Sequence, residues 1–160
     1  MAWTNSKMFQ RFLTNMIGNV IALDYDADTF KIALYNNSIT PDNDVTTDVL
    51  TGYNGAASQW VIANEVIDTT GGGTDWPAGG VALAGKTVDV TVADFVKVDA
   101  NDTASGATAD IANAFGGLVY DDTLTNKPGM CYNYFGGANS VTNGTFTVVY
   151  HANGIVRFSL

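Results

Sequence analysis

A mainly β fold is what this sequence predicts: an antiparallel β-sandwich or open barrel of seven or eight short strands with one N-terminal amphipathic helix. Three observations lead there. The first is the stretch Thr145 to Leu160, TFTVVYHANGIVRFSL, where two β-prone runs flank Asn153-Gly154. Asn and Gly tolerate the positive φ that both central positions of a type I′ turn require, so the stretch reads as a two-residue hairpin. Phe146, Val148 and Tyr150 share a face of its first arm, and Val156, Phe158 and Leu160 a face of its second; a one-residue slip would exchange buried and wetted sides. The second is composition. Only Glu65 of the 16 acidic residues is a glutamate, and aspartate, together with 17 glycines, favours turns and caps over helix interiors. The third is the recurrence of short apolar runs bounded by turn residues.

Along the chain, Thr4 to Ile17 has helical spacing: Met8, Phe9, Phe12, Leu13, Met16 and Ile17 fall on one half of the cylinder. Thr4 is the expected N-cap, Trp3 and Met8 the hydrophobic staple, and Gly18 the C′ glycine. That face either covers a sheet or docks on a partner. Phe30 to Tyr35 alternates as a half-buried strand, with Phe30, Ile32 and Leu34 inward. Asn36 to Asp48 is a loop, and Val49 to Val66 is ambiguous, with a helical turn or two over Ala56 to Ala63. Thr69 to Gly80 is a Gly- and Pro-rich loop. Strands follow at Thr87 to Val92, with Val88, Val90 and Val92 inward, then at Phe95 to Asp99, Phe115 to Tyr120 and Met130 to Phe135. The domain organisation is a helical segment over 1–20 and a single β domain over 21–160. A chain of this length buries about 70% of its unfolded surface.

Apolar residues make up 46% and charged residues 14%, which excludes a disordered acidic tail despite the net charge of −9. Seven lysines and arginines cannot build the basic stripe that nucleic-acid phosphates need. No apolar run approaches the ~20 residues that span a bilayer. The N-terminus lacks a basic region followed by an apolar core, so a soluble protein made in the cytoplasm is expected, with no membrane partner. Cys131, the only cysteine, reads as a small buried hydrophobe.

Gly80-Val-Ala-Leu-Ala-Gly85-Lys86-Thr87 matches the P-loop expression, yet a P-loop needs a preceding strand and a following helix. Here Trp76-Pro77 precedes and an alternating valine run follows, so the match reads as a chance occurrence inside a β hairpin. Asp24, Asp26 and Asp28 have the spacing that opens a Ca²⁺ loop, but Thr29 and Tyr35 stand where Gly and Glu are required. A solvated turn is expected, and whether these three bind a divalent ion stays open. Asp121-Asp122 and Asp42-Asn43-Asp44 read as exposed turns. His151, the only histidine, lacks a neighbouring nucleophile motif, so no catalytic residue, cofactor or metal is assigned. Trp76 in its Gly-rich loop either plugs the core or anchors a contact; Trp3, Trp60 and Trp76 are the candidate partner-interface residues, since Trp is enriched at interface hot spots.

Ala63 to Val66, Ala78 to Val88, Val98 to Asp102, Leu118 to Thr123, Val141 to Thr147 and Ala152 to Ile155 form an order that, with Leu23 to Leu34, resembles the small β-rich virion proteins of tailed bacteriophages. These look like capsid decoration or minor head proteins. The resemblance implies a non-enzymatic protein on the capsid surface that binds the major capsid protein and itself, with a trimer favoured. Under it, Gly80 to Thr87 becomes a β-turn segment. The rival reading is a tail- or fibre-associated receptor- or carbohydrate-binding module, with Trp76, Tyr132 and Tyr134 as a sugar platform. A β-sandwich hydrolase using His151 is the third reading.

Overall fold

The structure, a computed structural model, describes residues 3–44, 47–70, 73–90 and 94–159. In chain order its elements are β1 (Lys7–Met8), α1 (Gln10–Gly18), β2 (Phe30–Tyr35), α2 (Asp48–Thr51), a 3₁₀ turn (Ile62–Asn64), β3 (Glu65–Val66), β4 (Val81–Ala82), β5 (Thr87–Asp89), β6 (Phe95–Asp99), β7 (Thr103–Ala104), β8 (Ala109–Asp121), β9 (Gly129–Gly144), β10 (Thr147–Val148) and β11 (Val156–Ser159). Strand far outweighs helix among the described residues, so the fold is mainly β, with antiparallel sheets and, among those residues, no closed barrel.

The main sheet runs β1-β9-β8-β2-β3, with β4 also pairing β2. Its centre is the β8–β9 hairpin, thirteen and sixteen residues long, which departs from the uniformly short strands expected. β2 lies against β8, with Ile32 opposite Val119 and Leu34 opposite Gly117. Five of its six residues are buried, Ala33 and Tyr35 included, because neighbours cover both faces; only Lys31 remains partly wetted. A three-stranded sheet, β11-β6-β5, and a short β10–β7 pair complete the fold.

Two expectations about the chain ends are corrected. The Thr145 to Leu160 stretch is not a hairpin on itself: β10 pairs β7 and β11 pairs β6. The Gly154 N–H donates to the His151 carbonyl at 2.7 Å, closing a turn, but only Gly154 has positive φ (87°), so the turn is not type I′. Glycine is demanded there for another reason. A Cβ at Gly154 would meet Lys97 Cγ at 2.5 Å and the Val98 carbonyl at 2.7 Å, because the turn lies against β6. The alternation itself holds: Phe146 and Val148 are buried while Thr147 and Val149 are exposed. Leu160 and Val92 lie outside the described residues.

At the other end, the helix begins at Gln10 instead of Thr4. Lys7 and Met8 are extended because they pair with Tyr132 and Cys131 of β9, and the Phe9 N–H donates to the Met130 carbonyl. A sheet edge with free hydrogen-bonding groups outcompetes one further helical turn. Thr4 is therefore no cap, the residue at the cap position is Phe9, and the left-handed residue after the helix is Asn19 (φ 48°), not Gly18. The extended start threads Trp3 and Phe9 into an aromatic cluster with Trp60, Tyr35 and Tyr132, at centroid separations from 5.1 Å (Tyr35–Trp60) to 6.1 Å (Trp3–Tyr132). Trp3 packs against Gly116, where any Cβ would collide with its ring. Residues Trp3 to Phe12 thus share one core with the β domain. Ala56 to Ala63 is helical only where the 3₁₀ turn starts at Ile62.

Candidate interaction surface

Two groups of side chains that the fold leaves partly uncovered converge on one groove. Along β5, β6 and β11 the register sets Val88, Val98 and Val156 side by side, and Val96 beside Phe158. These five side chains share a face by strand alternation. None is fully buried, and β6 is half-buried along its whole length. Facing them, α1 buries Phe12 but presents Leu13, Met16 and Ile17. Between these walls runs a groove of about 380 Å³, lined also by Phe30, Met8, Met130, Leu23 and Tyr25. Ile17 is 76% exposed, Met16 44% and Val88 48%. The helix is held in place by Arg11, which reaches both Asp48 carboxylate oxygens at 3.2 and 3.3 Å, and by the Asn15 amide on the same carboxylate at 2.5 Å.

Leu23 and Tyr25 carry the groove lining into an acidic turn. Asp24 Oδ1 accepts the Asp26 and Ala27 N–H groups, and Asp28 Oδ2 accepts the Asp24 N–H. The carboxylates thus cap their own backbone instead of converging on a point. What converges is the carbonyl set: those of Tyr25 and Asp26, at 2.5 and 3.3 Å, and that of Asp28 all accept from the Lys86 ammonium. The same ammonium lies 5.3 Å and 5.6 Å from the Tyr25 and Phe30 ring centroids. Lys86 of the P-loop-like match therefore acts as the turn's counter-ion. Gly80, the first glycine of that match, has φ 75° and touches the β2 backbone, where a Cβ would collide with the Ile32 carbonyl. The match is not one hairpin: β4 joins the main sheet and β5 the small one, so the segment crosses between them.

Behind the turn, Asp121 is fully buried, with Oδ1 accepting from the Thr123 and Leu124 amides and Oδ2 without a donor. Burial, and then Asp28 beside it, push its carboxyl up to about 6. Asp122, by contrast, is half-buried between Lys31 and Lys127, each 2.7 Å away, which hold its carboxyl below the usual range. The Asp121-Asp122 pair is thus a buried structural element rather than an exposed turn. Glu65, raised by burial, accepts from Tyr53 Oη at 2.9 Å and the Gly79 N–H at 2.7 Å. Cys131 is buried, and burial pushes its thiol up to about 12, which suits the small hydrophobe expected.

A second cavity, of about 560 Å³, lies between β9 and the segment 146–155, lined by Asn133, Tyr134, Asn139, Tyr150 and His151 among others. The Asn153 N–H donates to His151 Nδ1 at 3.0 Å, so the neutral imidazole carries its proton on Nε2.

Trp3, Trp60 and Trp76 are each at most 1% exposed, so none presents a surface to a partner. Trp76 plugs the core from its loop, edge-on to Phe146 at 5.8 Å. Tyr132 is buried as well, leaving Tyr134 as the one member of the sugar platform at a cavity wall. The groove was half visible in the sequence: Met16 and Ile17 widen the helix's apolar face beyond what one sheet covers. Nothing local said that the valines of β5, β6 and β11 would face it. Among the described residues no three His, Cys, Asp or Glu side chains group to hold a metal, and no helix is long and apolar enough to cross a membrane. No family model, curated protein or solved structure matches the chain.

Proposed function

We propose that this chain is a structural virion protein, a capsid decoration protein that binds the outer surface of a tailed-phage head lattice. The observation that carries the reading is the open apolar groove between α1 and the β11-β6-β5 sheet, with Ile17 and Val88 left to water. Contiguous apolar surface of this kind on a soluble chain marks a contact with another macromolecule. The order of residues that resembles phage head proteins supports the major capsid protein as that macromolecule, and a trimer of this chain. Small contact energies repeated over many lattice sites add through avidity, so modest grooves suffice to cement a shell. A net charge of −9 keeps such decorated particles dispersed. The test is thermal rupture of purified heads with and without the protein. Rupture at a lower temperature in its absence, restored by adding it back, is the expected result; identical rupture temperatures refute cementing.

One observation favours a second reading, a tail-associated carbohydrate-binding module. The 560 Å³ cavity brings Tyr134 and His151 together in its lining, while the Asn139 amide already donates to the Phe135 and Gly137 carbonyls. An aromatic side chain beside a polar ring suits a hydroxylated ring ligand. Glycan binding lost on Tyr134→Ala and His151→Ala would establish it; no binding on a broad glycan panel removes it.

A further inference from the structure

Resting on the reading of the chain as a protein that binds proteins, we infer that the α1 groove receives an amphipathic helix of the partner whose apolar stripe is flanked by lysines or arginines. Two features select that occupant. The walls, Met16, Ile17, Val88, Val98, Val156 and Phe158, offer the occupant side-chain carbon and sulfur in place of hydrogen-bonding groups. An extended segment laid across these side chains, away from the β5 and β11 edges, would leave its own amides and carbonyls unsatisfied, whereas a helix satisfies them internally. The charge comes from the turn beside the groove. Leu23 and Tyr25 line the groove, and Asp24 and Asp26 alternate with them along the chain against the single ammonium of Lys86. Asp24 and Asp26 are exposed, Arg11 is spent on Asp48, and Arg157 is stacked on Phe95 on the opposite face of its sheet, 4.1 Å from the ring centroid. The rim field is therefore negative and attracts a basic flank. The same field, with −9 on each chain, opposes a second copy in the groove.

The test uses the purified full-length protein and two fluorescein-labelled designed helical peptides with the same leucine stripe, one flanked by lysines and its twin by glutamates. The lysine peptide is expected to bind about tenfold more tightly at low salt, with the gap closing at high salt. Ile17→Asp and Val88→Asp, at exposed positions, should each abolish binding of both peptides while near-ultraviolet circular dichroism from the buried tryptophans is unchanged; if either perturbs that signal, Ile17→Ser replaces it. Asp26→Asn should remove the preference for lysine and leave stripe binding intact. Equal binding of both peptides, binding that survives the groove substitutions, or no binding of the lysine peptide overturns the inference. So does self-association that Ile17→Asp abolishes, which would assign the groove to a second copy. Because no virion is involved, these outcomes are separate from head rupture: a protein that cements heads but ignores the peptides loses only this inference.

Discussion

Asp121 is a charge that the fold holds at a cost. Its carboxyl titrates at about 6 in the folded chain, raised first by burial and further by Asp28, against about 3.9 when unfolded. A carboxyl with a raised folded pKa binds its proton more tightly when folded. Its contribution to stability is thus complete below about pH 4 and is lost as pH rises through about 6. Glu65 shifts in the same direction. Asp68 and Asp122 shift downward, so what they contribute is lost only at lower pH, outside this window. The thermal midpoint should therefore fall between pH 5 and pH 7. Asp121→Asn keeps an Oδ1 acceptor for Thr123 and Leu124 and offers Asp28 a donor. It should raise the midpoint at pH 7 and flatten the pH profile; a loss of stability of equal size at both pH values would refute this account. Lys86→Met removes the donor to three carbonyls and should cost about 2 kcal/mol in denaturant unfolding. Neither role was legible locally. Lys86 sits roughly sixty positions from the turn it neutralises, and a motif expression cannot report where a side chain ends.

At the scale of elements, local pattern was legible and pairing was not. The alternation through Phe146 to Val149 and through Val156 to Ser159 survives in burial, because a strand's faces are fixed by its own pleat. Which strand it pairs with depends on the rest of the fold. Thus the Asn153-Gly154 signal was real, but the glycine answers to the proximity of β6. The same holds at Met8-Phe9, where helical spacing lost to the β9 edge. Glycines at element crossings give the direct test. Gly80→Ala forces a Cβ into the Ile32 carbonyl with φ at 75°, and should cost more than about 3 kcal/mol. Gly136→Ala, also at positive φ (82°) but with open space around it, should cost about 1 kcal/mol. Comparable losses would show that backbone conformation, not close approach, governs these sites.

For the whole molecule, packing is unequal. β2, the second half of β8 and the first four residues of β9 are buried almost throughout, while the β11-β6-β5 sheet keeps one apolar face only half covered. Hydrogen exchange should follow: amides of Ile32, Leu118, Val119 and Cys131 the slowest, those of Val96 to Val98 opening first. The mainly β class was legible from composition and turn residues, but the groove was not, since it exists only between elements distant in sequence. That surface, with the resemblance to phage head proteins, is the ground for the proposed attachment to a capsid lattice. Immunogold labelling of purified virions tests it most directly. Label spread over the heads in many copies is the predicted result; label confined to tail tips or fibres, or absent from particles, would contradict it.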